Sequence, residues 1–391
     1  MKKIFSFIIF TSLLFHVFAK TNDTKTKFIK GNISDKTNAL KESTGEDTAW
    51  LSEKAIIYAL ENKEFLGNDR DLDALVVSAI LTITPEYISS IDNLQKSDLL
   101  LYFTKIFQTF SSSNTVQLSV LSKVLLLKDS ISTTNFTKEL NDFLLKSSPT
   151  STDLSLLKSI ITTLESIGNN QSFNILFSKY INDDFSYVKP ELESALIKLA
   201  PLNEEEILHI INENDINKNN QLFTKIIKKS KISNNFVCEI AENLLNSSII
   251  YIDTSLSNKD DLTALQIEAL QVLSSNNWTR ASTSGVSYFT FAKEEFKNSI
   301  ISEENMIFII SALVNISPIE SISPLVAYLG ELNSQKEMGM DVSIPVTEAV
   351  IKTLGAIGNK SAFDSLLAVT YLDYPESVLS AAREALAGLK W

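Results

Sequence analysis

Cysteine and histidine are nearly absent from this sequence, which has one Cys and two His among 391 residues. A zinc site needs three or four ligands of these types, so we expect neither a metal nor another cofactor. A Ser–His–Asp triad would have to use His209, whose helical context EEEILHIINEND predicts a partly buried surface side chain. Cys238 lies on an apolar helical face and is expected in the core, with a reactive thiol as the alternative.

The glycine-containing motifs of common enzyme sites are also missing. The sequence contains neither of the phosphate-binding loops G-x-G-x-x-G and G-x-x-x-x-G-K-[ST], and it has no G-x-S-x-G nucleophile turn. Acidic runs such as Glu204–Glu206 fall at predicted helix starts, where they complement the helix dipole. We therefore predict a protein that is not an enzyme. The alternative is an enzyme that uses carboxylates facing each other across a groove.

Positive charge is scarce, and arginine most of all. Only Arg70, Arg280 and Arg383 occur, and the formal net charge is −12. An acidic chain with few guanidinium groups is a poor ligand for phosphates, which supply most of the affinity of proteins for nucleic acid. We therefore expect no nucleic-acid partner.

Glycine (10) and proline (8) are too few for an all-β protein with many tight turns. From residue 49 onward apolar residues recur instead at the helical spacing i, i+3, i+4, i+7. In residues 97–110 this stripe contains Leu99, Leu100, Phe103, Ile106, Phe107 and Phe110. Ser97 and Asp153 are predicted N-caps, and Pro190 is placed early in its helix. The sequence predicts an all-α fold.

Residues 1–19 are typical of a secretory signal peptide. Lys2 and Lys3 precede a largely apolar stretch, Ile4 to Phe18, and Ala19 ends a small-residue cleavage site. The stretch is short for a membrane span, and no later segment is apolar enough, so we expect no stable span after cleavage. Residues 20–48 are polar and are predicted to be a flexible leader. The abundance of Lys, Asn, Ile and Ser indicates a bacterial gene. The periplasm is the expected compartment, with secretion or anchoring by an uncleaved signal as alternatives.

A two-helix pattern recurs along the chain. The segment LGAIGNKSAFDSLL at 354–367 aligns with LVNISPIESISPLV at 313–326, a spacing of 41, and with LESIGNNQSFNILF at 164–177. A period near 40 built from helix pairs is typical of helical repeat proteins. Gly358 is predicted to end its helix in the left-handed conformation.

The last fifty residues resemble a pair of HEAT repeats. The matching positions are Ala349, Leu354, Gly355, Ile357, Gly358, Ala362, Leu366, Leu367, Leu372, Asp373, Pro375, Val378, Ala382, Ala385 and Leu386. The sequence departs from the pattern at Leu379, where such repeats usually carry Arg. The resemblance is clearest over 343–391 and weakest over 49–150. It implies that residues 49–391 form a HEAT/armadillo-like α-α solenoid of about nine helix pairs.

Residues 276–292, NNWTRASTSGVSYFTFA, interrupt the helical rhythm and are predicted to be an irregular insertion. The large groups there are candidates for an exposed partner-binding patch, because Trp, Tyr and Arg are favoured at interface hot spots. The candidate residues are Trp278, Arg280, Tyr288, Phe289 and Phe291. The alternative is that these rings fold back onto the core as a lid.

These features predict a non-enzymatic scaffold or adaptor that binds an envelope protein or peptide. Two other functions stay open. One is a ligand or lipid carrier with an apolar groove, and the other is an envelope hydrolase that uses groove carboxylates.

Overall fold

The computed structural model describes residues 23–148, 152–213, 215–250 and 259–390. The predicted signal peptide at residues 1–19 lies outside these ranges. The chain divides into two compact units, Met1–Leu202 (unit 1) and Asn203–Trp391 (unit 2). Within the described residues both units consist of helices and turns without a β-strand, which confirms the predicted all-α class. None of the helices in these ranges is both long enough and apolar enough to span a bilayer.

Unit 1 is a two-layered stack of helices. One layer contains α1, α3, α6, α8 and α10, and the other contains α2, α5, α7 and α9, with each helix packed on the next of its layer. Across the layers, α2 pairs with α3, α5 with α6, α7 with α8 and α9 with α10. The helices are α1 (Ile33–Glu42), α2 (Glu46–Leu66), α3 (Arg70–Thr82), α4 (Pro85–Ser90), α5 (Asn93–Thr109), α6 (Asn114–Leu127), α7 (Thr134–Lys146), α8 (Leu154–Ile167), α9 (Asn170–Ile181) and α10 (Lys189–Leu199).

Unit 2 repeats this plan. Its helices are α11 (Glu204–Asn212), α12 (Ile216–Asn220), α13 (Asn234–Ile250), α14 (Lys259–Ser275), α15 (Ser282–Lys297), α16 (Glu303–Ile316), α17 (Ile322–Glu337), α18 (Ile344–Ile357), α19 (Phe363–Val369) and α20 (Glu376–Ala387). The even-numbered helices follow one another in one layer. In the other layer α11 packs on α13, α13 on α15, and α17 on α19. The Phe289 and Tyr328 rings, 5.8 Å apart, join α15 to α17.

Successive pairs stack because each pair has an apolar face that it cannot bury alone. The described residues form four such pairs in unit 1 and five in unit 2. The two-helix pattern falls at a helix–turn–helix junction in all three places, between α8 and α9, α16 and α17, and α18 and α19. Its first leucines, Leu164, Leu313 and Leu354, are buried. The stripe of residues 99–110 is buried as well.

Polar side chains connect the stacked pairs at regular sequence separations. In unit 2, Asn315 bonds Ser274, Tyr374 bonds Asn333, and Thr353 bonds the Ile310 carbonyl, at separations of 41, 41 and 43 residues. In unit 1 the Ser172 hydroxyl donates to Asn141, 31 residues away, and Lys198 to Glu165, 33 residues away. Elsewhere in unit 1 the Lys123 amino group donates to the Ile83 carbonyl, 40 residues away, so the separation varies along the stack.

Helix ends follow local capping chemistry. Asp153 accepts a hydrogen bond from the Leu156 amide at 2.9 Å and caps α8 as predicted. Gly358 has φ 71° and ends α18 in the left-handed region, also as predicted. Gly168, at the equivalent position after α8, is extended with φ −66°. The prediction for Ser97 is wrong, because α5 begins at Asn93 with Asp92 as its cap.

Residues 23–48 differ from the predicted flexible leader. Residues 23–30 are helical, α1 follows them, and α1 packs on α3. Phe28, Ala39 and Leu40 are buried, and the Lys36 amino group donates to the Phe28 carbonyl at 2.6 Å. The prediction relied on the average polarity of the segment, which does not show these buried positions. A few apolar side chains at helical spacing, together with a buried lysine whose amino group is hydrogen-bonded, are enough to pack this segment against α3.

Candidate functional site

The turn between α14 and α15 contains two members of the predicted binding patch. The Arg280 guanidinium donates to Glu239 at 2.9 Å and to Glu242 at 3.0 Å, and the Trp278 indole donates to the same Glu242 carboxylate at 3.0 Å. The guanidinium carbon lies 5.1 Å from the centre of the Trp278 ring. These contacts tie the turn to α13. Arg280 stays exposed and Trp278 is half-buried.

Tyr288 and Phe289 occupy the core instead of the surface. Both side chains are fully buried. The Tyr288 hydroxyl donates to Gln266 of α14 at 3.3 Å, and the Phe289 ring packs edge-on against Tyr328 of α17. Phe291 is half-buried beside Tyr288, with 6.4 Å between the ring centres. The structure therefore does not bring the five predicted residues together at one surface.

The prediction of an irregular insertion over 276–292 is wrong for most of its length, because residues 282–297 form the regular helix α15. Gly285, Tyr288, Phe289 and Ala292 lie at i, i+3, i+4 and i+7 and are all buried. Packing along this stripe outweighs the weak helix propensity of Ser, Thr and Gly. Gly285 also permits a close approach, since a Cβ there would lie 3.2 Å from the Ile316 side chain. Only residues 276–281 depart from the α-helix.

His209 lies on α11 and Cys238 on α13. His209 has a 75% exposed side chain, and its Nδ1 lies 3.8 Å from Glu213 one turn along α11. Cys238 is buried in α13 as predicted, and burial raises the pKa of its thiol. In the described residues no group of three or more His, Cys, Asp or Glu side chains could hold a metal ion.

A cavity of about 120 Å³ opens between α2 and α5 of unit 1. Each helix presents one face to it at the same i, i+3, i+4, i+7 spacing. From α2 these are Ala49, Ser52, Glu53 and Ile56, and from α5 they are Gln95, Asp98, Leu99 and Tyr102. The segment between α3 and α5 closes a third side. The short helix α4 in this segment carries Tyr87 to the cavity.

The cavity combines an apolar floor with an acidic mouth. Ile56, Ile83 and Leu99 are buried, whereas Glu53 and Asp98 are exposed. The Ser52 hydroxyl is engaged with Thr82 and with the Thr48 carbonyl. No lysine, arginine or histidine is among the lining residues. The site therefore carries unbalanced negative charge above an apolar base.

The two tyrosines lie within reach of these carboxylates. Partial burial raises the pKa of Tyr87, and the charge of Glu53 adds to the increase. Partial burial likewise raises the pKa of Tyr102, with further contributions from Glu53 and Asp98. Both phenols consequently stay protonated at neutral pH and can donate or accept hydrogen bonds at the mouth.

Sequence reasoning missed this cavity. The usable signal was an acid placed inside an apolar stripe, since Asp98 precedes the buried Leu99 and Glu53 lies between Ser52 and Ile56 on one face of α2. The insertion of α4, which separates α3 from α5, has no recognisable sequence motif.

No protein-family model and no curated protein matches the chain.

Proposed function

We propose that the protein is an exported, non-enzymatic scaffold that binds a protein or peptide partner in the periplasm or cell envelope. In this proposal the helix pairs are HEAT- or armadillo-like repeats of an α-solenoid. The observation that carries it is the serial packing within each unit, where each pair contacts the pairs before and after it. Polar bonds at separations near 31–33 and 41–43 residues support the same reading. Such a stack offers a long surface for a partner.

The partner surface that we propose in unit 2 is centred on Trp278 and Arg280. Tyr288 and Phe289 are buried and take no part in it. The exposed guanidinium, oriented by two carboxylates and stacked on an indole, keeps N–H donors that suit contact with a carbonyl oxygen of a partner.

Site-specific photocrosslinking in cells tests the partner proposal. A photoreactive residue at the exposed Thr279 position leaves both Trp278 and Arg280 intact. We expect one discrete adduct from this position, and its loss in the Arg280→Ala background. The control position is Tyr371, which is 80% exposed in the same unit and lies outside the patch. Equal adduct patterns from positions 279 and 371 would contradict the proposal.

Export is tested by fractionation. We expect osmotic shock to release a mature chain that begins at Lys20, measured by intact mass. Recovery in the cytosolic fraction with residues 1–19 still attached would contradict export. Membrane retention with the signal attached would support the anchored alternative.

A further inference from the structure

The α2–α5 cavity has features that select a ligand class. Two carboxylates at its mouth repel anions and attract cations. Among the ion pairs formed by the described residues, none involves Glu53 or Asp98, so neither charge is already balanced by a lysine or arginine.

A bare metal ion does not fit this lining. Calcium and magnesium require six or more oxygen ligands, usually with several carboxylates, whereas Glu53 and Asp98 are the only carboxylates among the lining residues and Ile56, Ile83 and Leu99 supply no ligand. An apolar floor below a charged mouth suits a ligand with an apolar body and a cationic end. The tyrosine rings of Tyr87 and Tyr102 add surfaces that can face such a cation.

The volume of the cavity also limits the size of the ligand. An apolar cavity of about 150 Å³ accommodates benzene, which has about six heavy atoms. A cavity of about 120 Å³ is therefore too small for a lipid chain and suits a ligand of about five heavy atoms. A lysine side chain beyond its Cα, with four carbons and one nitrogen, has that size and the required polarity.

We infer that the α2–α5 cavity is a binding site for a primary alkylammonium group. The alkyl chain lies on the floor formed by Ile56, Ile83 and Leu99, and the ammonium group lies at the mouth beside Glu53 and Asp98. The same chemistry occurs in a small free amine and in the lysine side chain of a peptide. Binding of the cation does not depend on the scaffold proposal, which concerns unit 2 and the helix stack.

The test is a titration of the purified protein with n-butylammonium, in which binding is detected from changes in the amide chemical shifts. 1-Butanol serves as the neutral analogue of the same length. We expect saturable shifts confined to α2, α4, α5 and the residues between α3 and α4, and at least about tenfold weaker binding of 1-butanol. Affinity should also fall as salt is raised, because the carboxylates at the mouth are screened.

Two isosteric variants, Glu53→Gln and Asp98→Asn, remove the charges one at a time. Both side chains are exposed, so the fold should tolerate the change. We expect each variant to weaken n-butylammonium binding about fivefold, as for a partly screened ion pair. Glu61→Gln is the matched control, since Glu61 is exposed on the same helix and does not line the cavity.

A parallel titration distinguishes the sources of the ammonium group. It uses a blocked Gly-Lys-Gly peptide and its norleucine counterpart. Binding of the lysine peptide alone assigns the site to a peptide side chain, and binding of n-butylammonium alone assigns it to a free amine. The inference is overturned if neither ligand binds, if 1-butanol binds as tightly as n-butylammonium, or if a variant that combines Glu53→Gln with Asp98→Asn binds n-butylammonium like the parent.

Discussion

Single residues decide where one helix of a pair ends and the next begins. Gly358 does so through its positive φ of 71°, which an L-residue with a side chain adopts only with strain. Its amide donates to the Leu354 carbonyl at 2.9 Å, and its carbonyl accepts from the Lys390 amide at 2.8 Å. This position therefore fixes both the end of α18 and the backbone at Lys390.

Two glycine substitutions are expected to have opposite effects. Gly358→Ala should lower the free energy of unfolding by about 1–2 kcal/mol, because it places a Cβ in the left-handed region. Gly330→Ala should raise it by about 0.5–1 kcal/mol, since Gly330 lies inside α17 and a Cβ there meets nothing within 4 Å. Denaturant unfolding measures both. Equal effects of the two changes would contradict the conformational argument.

Buried tyrosines couple stability to alkaline pH. Burial raises the pKa of Tyr374 from 10.0 to about 12, and its hydroxyl donates to Asn333 at 3.3 Å. Below pH 10 both the folded and the unfolded chain hold this proton, so the stabilisation is complete. Between pH 10 and 12 only the unfolded chain releases it, so the free energy of unfolding falls, by about 3 kcal/mol at most for two pKa units.

The variant Tyr374→Phe tests this coupling. Between pH 9 and pH 11.5 this variant should lose less unfolding free energy than the parent protein does. Urea titration at each pH measures the loss. Tyr371→Phe, which removes an exposed phenol, should keep the pH profile of the parent. A profile for Tyr374→Phe that parallels the parent's would rule out Tyr374 as a source of the alkaline loss.

Sequence reasoning works at this scale where backbone chemistry is local. The Asp153 cap and the Gly358 terminus follow from side-chain hydrogen bonding and from the freedom of glycine. It fails at Ser97, because Asp92 and Gln95 form a capping box one turn earlier. Competing caps of similar strength cannot be ranked from the sequence alone.

At the scale of helices, unit 1 contains several lysines whose amino groups donate to backbone carbonyls at the carboxyl end of a neighbouring helix. Lys36 donates to the Phe28 carbonyl, Lys123 to the Ile83 carbonyl, and Lys179 to the Ser147 carbonyl. Burial lowers the pKa of all three amino groups. Each amino group supplies a donor where the end of a helix leaves carbonyl groups without intrahelical partners.

Removal of one of these amino groups should destabilise the helix stack. Lys123 is 6% exposed, and its amino group bonds the Ile83 and Leu81 carbonyls at 2.5 and 3.2 Å. Lys123→Met keeps the aliphatic stem but leaves these carbonyls unsatisfied, so we expect a loss of about 1–3 kcal/mol in denaturant unfolding. The exposed Lys105→Met change on α5 should stay within about 0.5 kcal/mol. A similarly small effect at Lys123 would show that the lysine is dispensable.

Whole helices were predictable where apolar spacing is strong, and less so where packing overrides composition. The stripe of α5 is evident in the sequence and is buried. In contrast, α15 begins with Ser-Thr-Ser-Gly, and α1 has a polar sequence with few apolar side chains. Both helices depend on contacts with distant residues, as Gly285 does with Ile316. The α2–α5 cavity needs three segments together, and no single one of them predicts it.

At the scale of a whole unit, serial packing has a thermodynamic consequence. In unit 1 each pair contacts its neighbours, so stability is expected to spread along the stack over short distances. A compact globule with one central core would instead lose protection everywhere when one core residue is changed. The two cases differ in how a local defect spreads.

Native-state hydrogen exchange distinguishes these cases with Leu164→Ala. Leu164 is fully buried in α8, so the change should cost about 2–5 kcal/mol locally. We expect amide protection to fall most in α7–α10 and to remain near the parent value in α1–α3. Thr162→Ala, on the exposed side of the same helix, should leave the pattern unchanged. Uniform loss across unit 1 would mean that its helices unfold as one body, and the serial-repeat description of this unit would have to be abandoned.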